Sequence, residues 1–365
     1  MAKTMPNVIV AFNELGITSI TRAKHGAIAM ILPDDAAIDG VTMYSQEDIP
    51  EGAKEYSAEQ IKLAMKGYVY APRKITAYSV ANASEAAEID YTEILKKLIH
   101  TKFDWLVVPG ISSKGAETIA DWIKTQRTQK DRGFKAVLPN TKADTEGVVN
   151  FTTQTIKTAD KTYKTADYCS RIAGIIAGTP DTISCTYAPL SEVVEVEAYT
   201  DEEMDQKVAN GELFLFSDGE KVKIARGVNS LTTTVQGKGE DFQKIKLVSL
   251  MDVIKQDIEA TARESYIGKY ANSYDNRCLL ITAIQGYFDT LEAAGLLEKD
   301  QNTVDIDLVA VKNWRESNGL NTKAELAGMK DQEIKQLNIH DNVFLTAHIS
   351  MLDAIESIAL NINVE

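Results

Sequence analysis

The chain alternates between two hydrophobic periods, and each switch predicts an element. From Ile75, "KITAYSV" predicts a strand and "DYTEILKKLIH" a helix with Ile94, Leu95 and Leu98 on one face. "FDWLVVPG" is a continuously apolar strand, "KGAETIADWIKTQRTQK" an amphipathic helix, and "FKAVLPN" a strand closed by Pro139. Strands that are apolar on both faces and alternate with helices predict βαβ units around a parallel sheet. "GVVNFTT" adds a strand. "ADYCSRIAGIIAGTP" predicts a helix that Ala173, Gly174, Ala177 and Gly178 make thin on one side, allowing close packing.

The character changes after Pro189. "EEMDQKVANG" predicts a short helix, and Asp218-Gly219 between two apolar runs is a strong hairpin signal. Two longer helices follow, "SLMDVIKQDIEATARESY" and "YDNRCLLITAIQGYFDTLEAAG", the second capped by Asn272 and ended by Gly295. "VDIDLVAV" then predicts a strand, "NTKAELAGMKDQEIKQLN" a polar-faced helix and "NVFLTAHIS" a strand. The expected class is α/β: a parallel-sheet βαβ domain over residues 34–200, then an α+β C-terminal domain over 201–350. Extended strand arms flank them. Residues 1–33 form an N-terminal arm with the first strands, including "GAIAMIL", and 351–365 form a C-terminal arm.

Both ends keep a period of two, the mark of a strand with one buried face. Val8, Val10 and Phe12 share a face around Ile9. Ile358, Leu360, Ile362 and Val364 share another, opposite Ser357, Ala359, Asn361 and Asn363. Chain ends ordinarily fray into polar disorder. These strands have two possible destinations, a sheet of their own chain or one in a second subunit. The geometry allows the second. A compact chain of this length has a radius of gyration of roughly 21 Å, and a ten-residue extended arm reaches roughly 33 Å. Strand addition across subunits would supply main-chain hydrogen bonds and side-chain pockets together and cover sheet edges that otherwise aggregate.

Composition narrows the function. The 365 residues are 44% hydrophobic and 25% charged, globular proportions sufficient for two or three domains. No apolar run approaches a membrane span, and "MAKTMPNVIVAF" has too short an apolar core for a signal peptide, so the expected site of synthesis is the cytoplasm. The net charge of −14, from 39 basic and 53 acidic residues without a basic cluster, argues against nucleic acid as a partner. Cys169, Cys185 and Cys278 have no metal-like spacing and read as buried free thiols. His25, His100, His340 and His348 are scattered, and no cofactor or metal set emerges. One competing reading remains: an α/β enzyme or nucleotide-binding protein with a site near Gly110. There, "VVPGISSKGAET" places Gly110, Ser112, Ser113 and Gly115 between strand and helix, where backbone amides can cradle an anion. It lacks GxGxxG, and its Lys114-Gly115 order is not that of a phosphate loop.

Five stretches resemble, in order, the tail sheath proteins of contractile phages, notably those of phages, prophages and phage-tail-like bacteriocins of Gram-positive bacteria. They are "PNVIVAF" with "GITSITRAKHGAIAMIL", "RIAGIIAGTPDTISCTYAPL", "ANGELFLFSDGEKVKIARGVNSLTT", "LMDVIKQDIEATARESYIGKYANSYDNR" and "VFLTAHISMLDAIESIALNINV". The resemblance implies a non-enzymatic subunit of a hollow helical cylinder, built from stacked hexameric rings around a tail tube. Its implied partners are further copies of itself, the tail tube protein, and baseplate and tail terminator proteins. It also carries the inter-subunit arms over to Val8, Ile9, Val10 and Phe12 and to Ile358, Leu360, Ile362 and Val364. Gly16 and "HISMLD" are the expected hinges.

Overall fold

The computed structural model describes residue 20, residues 26–81 and residues 89–363. Val8, Ile9, Val10, Phe12, Gly16 and Val364 lie outside the described residues. The described chain falls into two compact units, residues 26–256 with 352–363, and Asp257–Met351.

The first unit runs β1 (Ala27–Pro33), β2 (Asp39–Met43), α1 (Glu55–Met65), β3 (Lys74–Val80), α2 (Thr92–Leu98), β4 (Trp105–Val107), α3 (Ser113–Lys130), β5 (Lys135–Pro139) and β6 (Val148–Phe151). It continues through β7 (Thr155–Thr158), β8 (Thr162–Lys164), α4 (Thr165–Ala177), β9 (Val193–Val196), α5 (Asp201–Ala209), β10 (Glu212–Leu213), β11 (Leu215–Ser217) and β12 (Val222–Ile224). The boundary between units falls inside α6 (Ile245–Thr261).

Seven strands form one sheet in the order β10-β6-β5-β4-β1-β3-β2, with β2 antiparallel to β3 and the other pairings parallel. Successive side chains of β1 serve opposite cores. Ile28, Met30 and Leu32 pack in the cluster that holds Ile61 and Ala64 of α1 and Ile172 and Ile176 of α4. Ala29 and Ile31 pack in the cluster of Leu95 and Leu98 of α2 and Ile119 and Ile123 of α3. This is the doubly covered parallel sheet that the all-apolar strands predict. The thin face of α4 is used as expected. A Cβ on Gly174 would overlap the Ala64 carbonyl of α1, and one on Gly178 the Tyr70 carbonyl. The β11–β12 hairpin is antiparallel, with Gly219 at φ +94° in its turn.

Two expected boundaries do not separate compact units. β1, assigned from the sequence to the arm region 1–33, is an inner strand between β3 and β4. Residues after 200 remain in the first unit, because β10 pairs with β6 and extends the same sheet.

Between α3, β5 and α6 lies a buried ionic network. Arg127 of α3 donates to Asp252 of α6 at 2.9 and 3.1 Å and to Glu146 at 3.1 Å. Lys135 of β5 reaches the same Asp252 carboxylate at 2.8 Å, and Lys238 reaches Glu146 at 2.9 Å. Burial pushes the Glu146 carboxyl up, but the Arg127 guanidinium and the Lys238 ammonium outweigh it and hold the group below its ordinary value. Glu192, desolvated but bonded by Arg171 at 2.5 Å, is lowered in the same way. A depressed folded-state pKa contributes stability that is present above the unfolded value, 4.5 for both groups, and is lost as pH falls through the folded one. The urea midpoint should therefore hold from about pH 7 to about pH 5 and then drop toward about pH 3.5, with a shallower drop in Glu192→Gln. A midpoint that stays level to about pH 3.5 would sink this account.

The second unit contains α7 (Tyr274–Ala293), β13 (Thr303–Ile306), α8 (Leu308–Ser317), α9 (Lys323–Gly328), α10 (Asp331–Gln336) and β14 (Leu345–His348). β13 and β14 pair antiparallel, beside a small core of Ile306, Val311, Ile334 and Ile339. Three local expectations are corrected. Ser273 caps α7 through its hydroxyl, which accepts from the Asn276 amide, while Asn272 donates instead to the carbonyls of His340 and Asn342. The expected strand "VDIDLVAV" ends at Ile306, because Asp307 caps α8 by accepting from the Ala310 amide at 2.9 Å. The expected single helix near Lys323 is two, since Met329 adopts an extended conformation and Glu333 accepts from the Lys330 amide to open a new one.

Candidate functional site

The C-terminal tail is first bonded down and then released. Met351 forms an isolated bridge with Leu297, and the Ser350 carbonyl accepts from the Glu298 amide at 2.8 Å. In the other unit, Lys246 at the start of α6 donates to the Leu352 carbonyl at 2.5 Å, and neighbouring Lys244 pairs with Asp353. Glu356 accepts from Thr186 at 2.5 Å and Ser184 at 3.2 Å through one oxygen, and from Arg226 at 3.0 Å through the other. Its side chain is 15% exposed, against 45% for Arg226. "HISMLD" is thus held through Ser350, Met351, Leu352 and Asp353 by partners in both units.

Beyond Glu356 the contacts stop. Residues 357–363 belong to no helix or strand and form no hydrogen bond or ion pair. Ile358, Leu360 and Ile362 are 84%, 77% and 75% exposed. The period of two is present, but a strand needs a ladder, and among the described residues this segment has no partner strand. The cis pairing left open by the sequence does not occur among the described residues. Three branched aliphatic side chains on one strand face are left in water, although burying each is worth about 1.5–3 kcal/mol. At the root of the tail lies a cleft of about 530 Å³, walled by Tyr187, Met204, Phe214 and Phe216, with Arg226, Glu356 and Ser357 at its border.

The Gly110 region is closed by its own chain. The Gly110 amide donates to the Ala166 carbonyl and the Gly115 amide to the Ser112 hydroxyl that caps α3. Tyr56, bonded to Asp167 at 2.7 Å, lies against Gly110 so closely that a Cβ there would be 2.9 Å from its hydroxyl. Two of the amides proposed to hold an anion, those of Gly110 and Gly115, are thus already bonded. Cys169 and Cys185 are fully buried; burial pushes the Cys169 thiol up and the Cys185 thiol to about 12, against reactivity. Among the described residues no group of three or more His, Cys, Asp or Glu side chains is placed to hold a metal ion, and no helix is long and apolar enough to cross a membrane.

Residues 84–230 match the phage tail sheath protein central domain, and residues 237–365 match the phage tail sheath C-terminal domain. The chain belongs to the phage tail sheath family. A tail sheath protein of Clostridium phage phiCD119 is 36% identical over 362 residues, covering 98% of each chain. The sheath chain also shares its fold with two solved structures. The helical sheath of the anti-feeding prophage in its contracted state aligns over 100% of both chains with a TM-score of 0.72 at 14% identity. A sheath tail protein from Desulfitobacterium hafniense aligns over 82% of this chain and 94% of its own, with a TM-score of 0.68 at 17% identity.

The sequence located the tail of this sheath chain but missed its attachment. Glu356 and Arg226 are 130 residues apart and Lys244 and Asp353 are 109 apart. No local spacing reveals such pairs.

Proposed function

We propose that the chain is the structural subunit of a contractile tail sheath. Copies polymerise into a hollow cylinder of stacked rings, six-fold by analogy with the family, around a tail tube, and contract to drive the tube through a bacterial envelope. The terminal arms, Val8, Ile9, Val10 and Phe12 at one end and Ile358, Leu360, Ile362 and Val364 at the other, join subunits by strand exchange. Tail tube, baseplate and tail terminator proteins are its other partners. The subunit is made in the bacterial cytoplasm and leaves in a phage tail or tail-like particle on lysis.

One observation carries this reading: a chain of the tail sheath family carries an alternating apolar segment, Ile358 to Ile362, that stays exposed and finds no partner among the described residues. Contraction needs no catalytic site. It is a rigid-body rearrangement between two discrete packings, with the starting packing held by a kinetic barrier. An enzymatic site near Gly110 has no support from the geometry there. Negative-stain electron microscopy of the purified chain at rising concentration tests the proposal, with hollow striated cylinders as the expected result. Particles that remain monomeric at every concentration would refute it.

A further inference from the structure

Glu356 stands apart from every other residue of the tail. Among the described residues it is the last with a partner, and it has three. Ser184 and Thr186, which lie in the connection between α4 and β9, converge on one carboxylate oxygen. Their oxygens lie 2.8 Å apart, close enough to bond each other when the carboxylate is absent, and the Thr186 hydroxyl accepts from the Gly227 amide at 2.9 Å. The receiving group is therefore braced before the tail arrives. Arg226 supplies the charge on the other oxygen. Three residues upstream, Lys244 holds Asp353, and Lys246, buried at the start of α6, takes the Leu352 carbonyl. Ile355 between these anchors is 85% exposed while Leu352 and Ala354 are half-buried, so polar bonds with limited packing fix residues 352–356.

We infer that Glu356 is the mount of the C-terminal arm: it pins residues 352–356 to the subunit body and makes Ser357 the point at which the exchanged segment begins to swing. The inference rests on the proposed sheath function for its purpose, and on this chain's own bonds for its geometry. A carboxylate held by two hydroxyls and a guanidinium fixes both position and direction, which a single ion pair does not. An arm that departs from a fixed point samples far fewer positions than one free from residue 352. A neighbour's sheet then captures it at a higher effective concentration, because effective concentration falls steeply with the length of a flexible tether.

The test uses the full chain and Glu356→Ala, with Glu356→Gln as the conservative variant. Backbone order parameters of the monomer come first. In the wild type, order should stay near the rigid value of about 0.85 through Glu356 and fall below about 0.6 from Ser357. In Glu356→Ala the fall should move back toward Leu352, and the glutamine, which still accepts from Ser184 and Thr186, should restore part of it. The concentration needed for cylinders should rise about tenfold in Glu356→Ala, the factor expected for losing one charge-assisted bond set, with an unchanged monomer melting temperature. A wild-type profile that falls at Leu352, an alanine profile identical to wild type, or an alanine variant that assembles at the wild-type concentration would each overturn the inference. If the wild type forms no cylinders at all, the order profile still decides the mount, and it is the sheath reading that fails.

Discussion

Deleting residues 358–365 should abolish cylinder formation and leave the monomer's melting temperature unchanged. The two halves of this expectation have different causes. Ile358, Leu360 and Ile362 are each at least three-quarters exposed, and residues 357–363 form no hydrogen bond, so their removal takes almost nothing from the folded chain. Exposed substitutions away from packing or bonding networks stay within about 0.5 kcal/mol. Assembly is another matter. If the segment adds to a neighbour's sheet, each subunit loses a full main-chain ladder and three aliphatic side chains, together on the order of 5 kcal/mol or more per contact. Repeated at every subunit, that loss is prohibitive. Scanning calorimetry and electron microscopy on the same preparation separate the effects. Cylinders of normal length from the deleted chain would show that the terminal segment does not link subunits, and a fall in melting temperature would show that it packs in cis. The milder triple substitution of Ile358, Leu360 and Ile362 by serine should weaken assembly in the same direction while keeping the backbone length.

The second large effect concerns the subunit body. Asp252→Ala should destabilise it by about 3–5 kcal/mol, the range for removing one partner of a buried charge pair. Asp252 faces two cations at once, and the side chains of all three are at most 10% exposed. Arg127 keeps Glu146 after the change. Lys135 keeps only the Gly133 carbonyl at 3.5 Å and its place over the Trp105 ring. An ammonium buried to 3% exposure without a carboxylate is costly to keep out of water. Urea unfolding measures the loss directly. Adding Lys135→Met to Asp252→Ala should recover part of it, because the orphaned charge is removed. If the double variant is no more stable than Asp252→Ala, the cost lies in the disturbance of α6 and not in the stranded lysine.

Much of the fold can be read along the chain because most strands of the main sheet are short, predominantly apolar and punctuated by helices of clear period. β1, β3, β4, β5 and β6, with α2 and α3 among them and α4 after them, arise from "GAIAMIL" to "GIIAGTP" as the periodicity predicts. What escaped is of two kinds. Capping decisions were missed at Asp307, where a β-like run gives way to a helix because one carboxylate meets the Ala310 amide, and at Met329, where one extended residue divides a helix. Long-range pairing was invisible altogether. Whether β1 sits at the rim of the sheet or within it depends on which strands join it, and nothing in "AIAMILP" says so. The tail shows the limit most sharply. Its alternation reads as a strand, but a ladder is a property of two segments, and among the described residues the segment pairs with no second one.

The inner position of β1 also has a mechanical consequence. β1 is the first strand of the described chain, and its register runs alongside β3 from Ala27↔Lys74 to Pro33↔Val80, with β4 on its other side from Ile28↔Trp105 to Met30↔Val107. Tension applied at residue 26 along that axis would meet both ladders in shear, so that many bonds must yield together before the strand slides. The root of the tail is attached differently. Lys246, Lys244 and Arg226 hold it at successive points, and tension on residue 357 would open those contacts one after another, as a peel. Drawn from its two ends, the subunit would hold fast at one and give way by steps at the other.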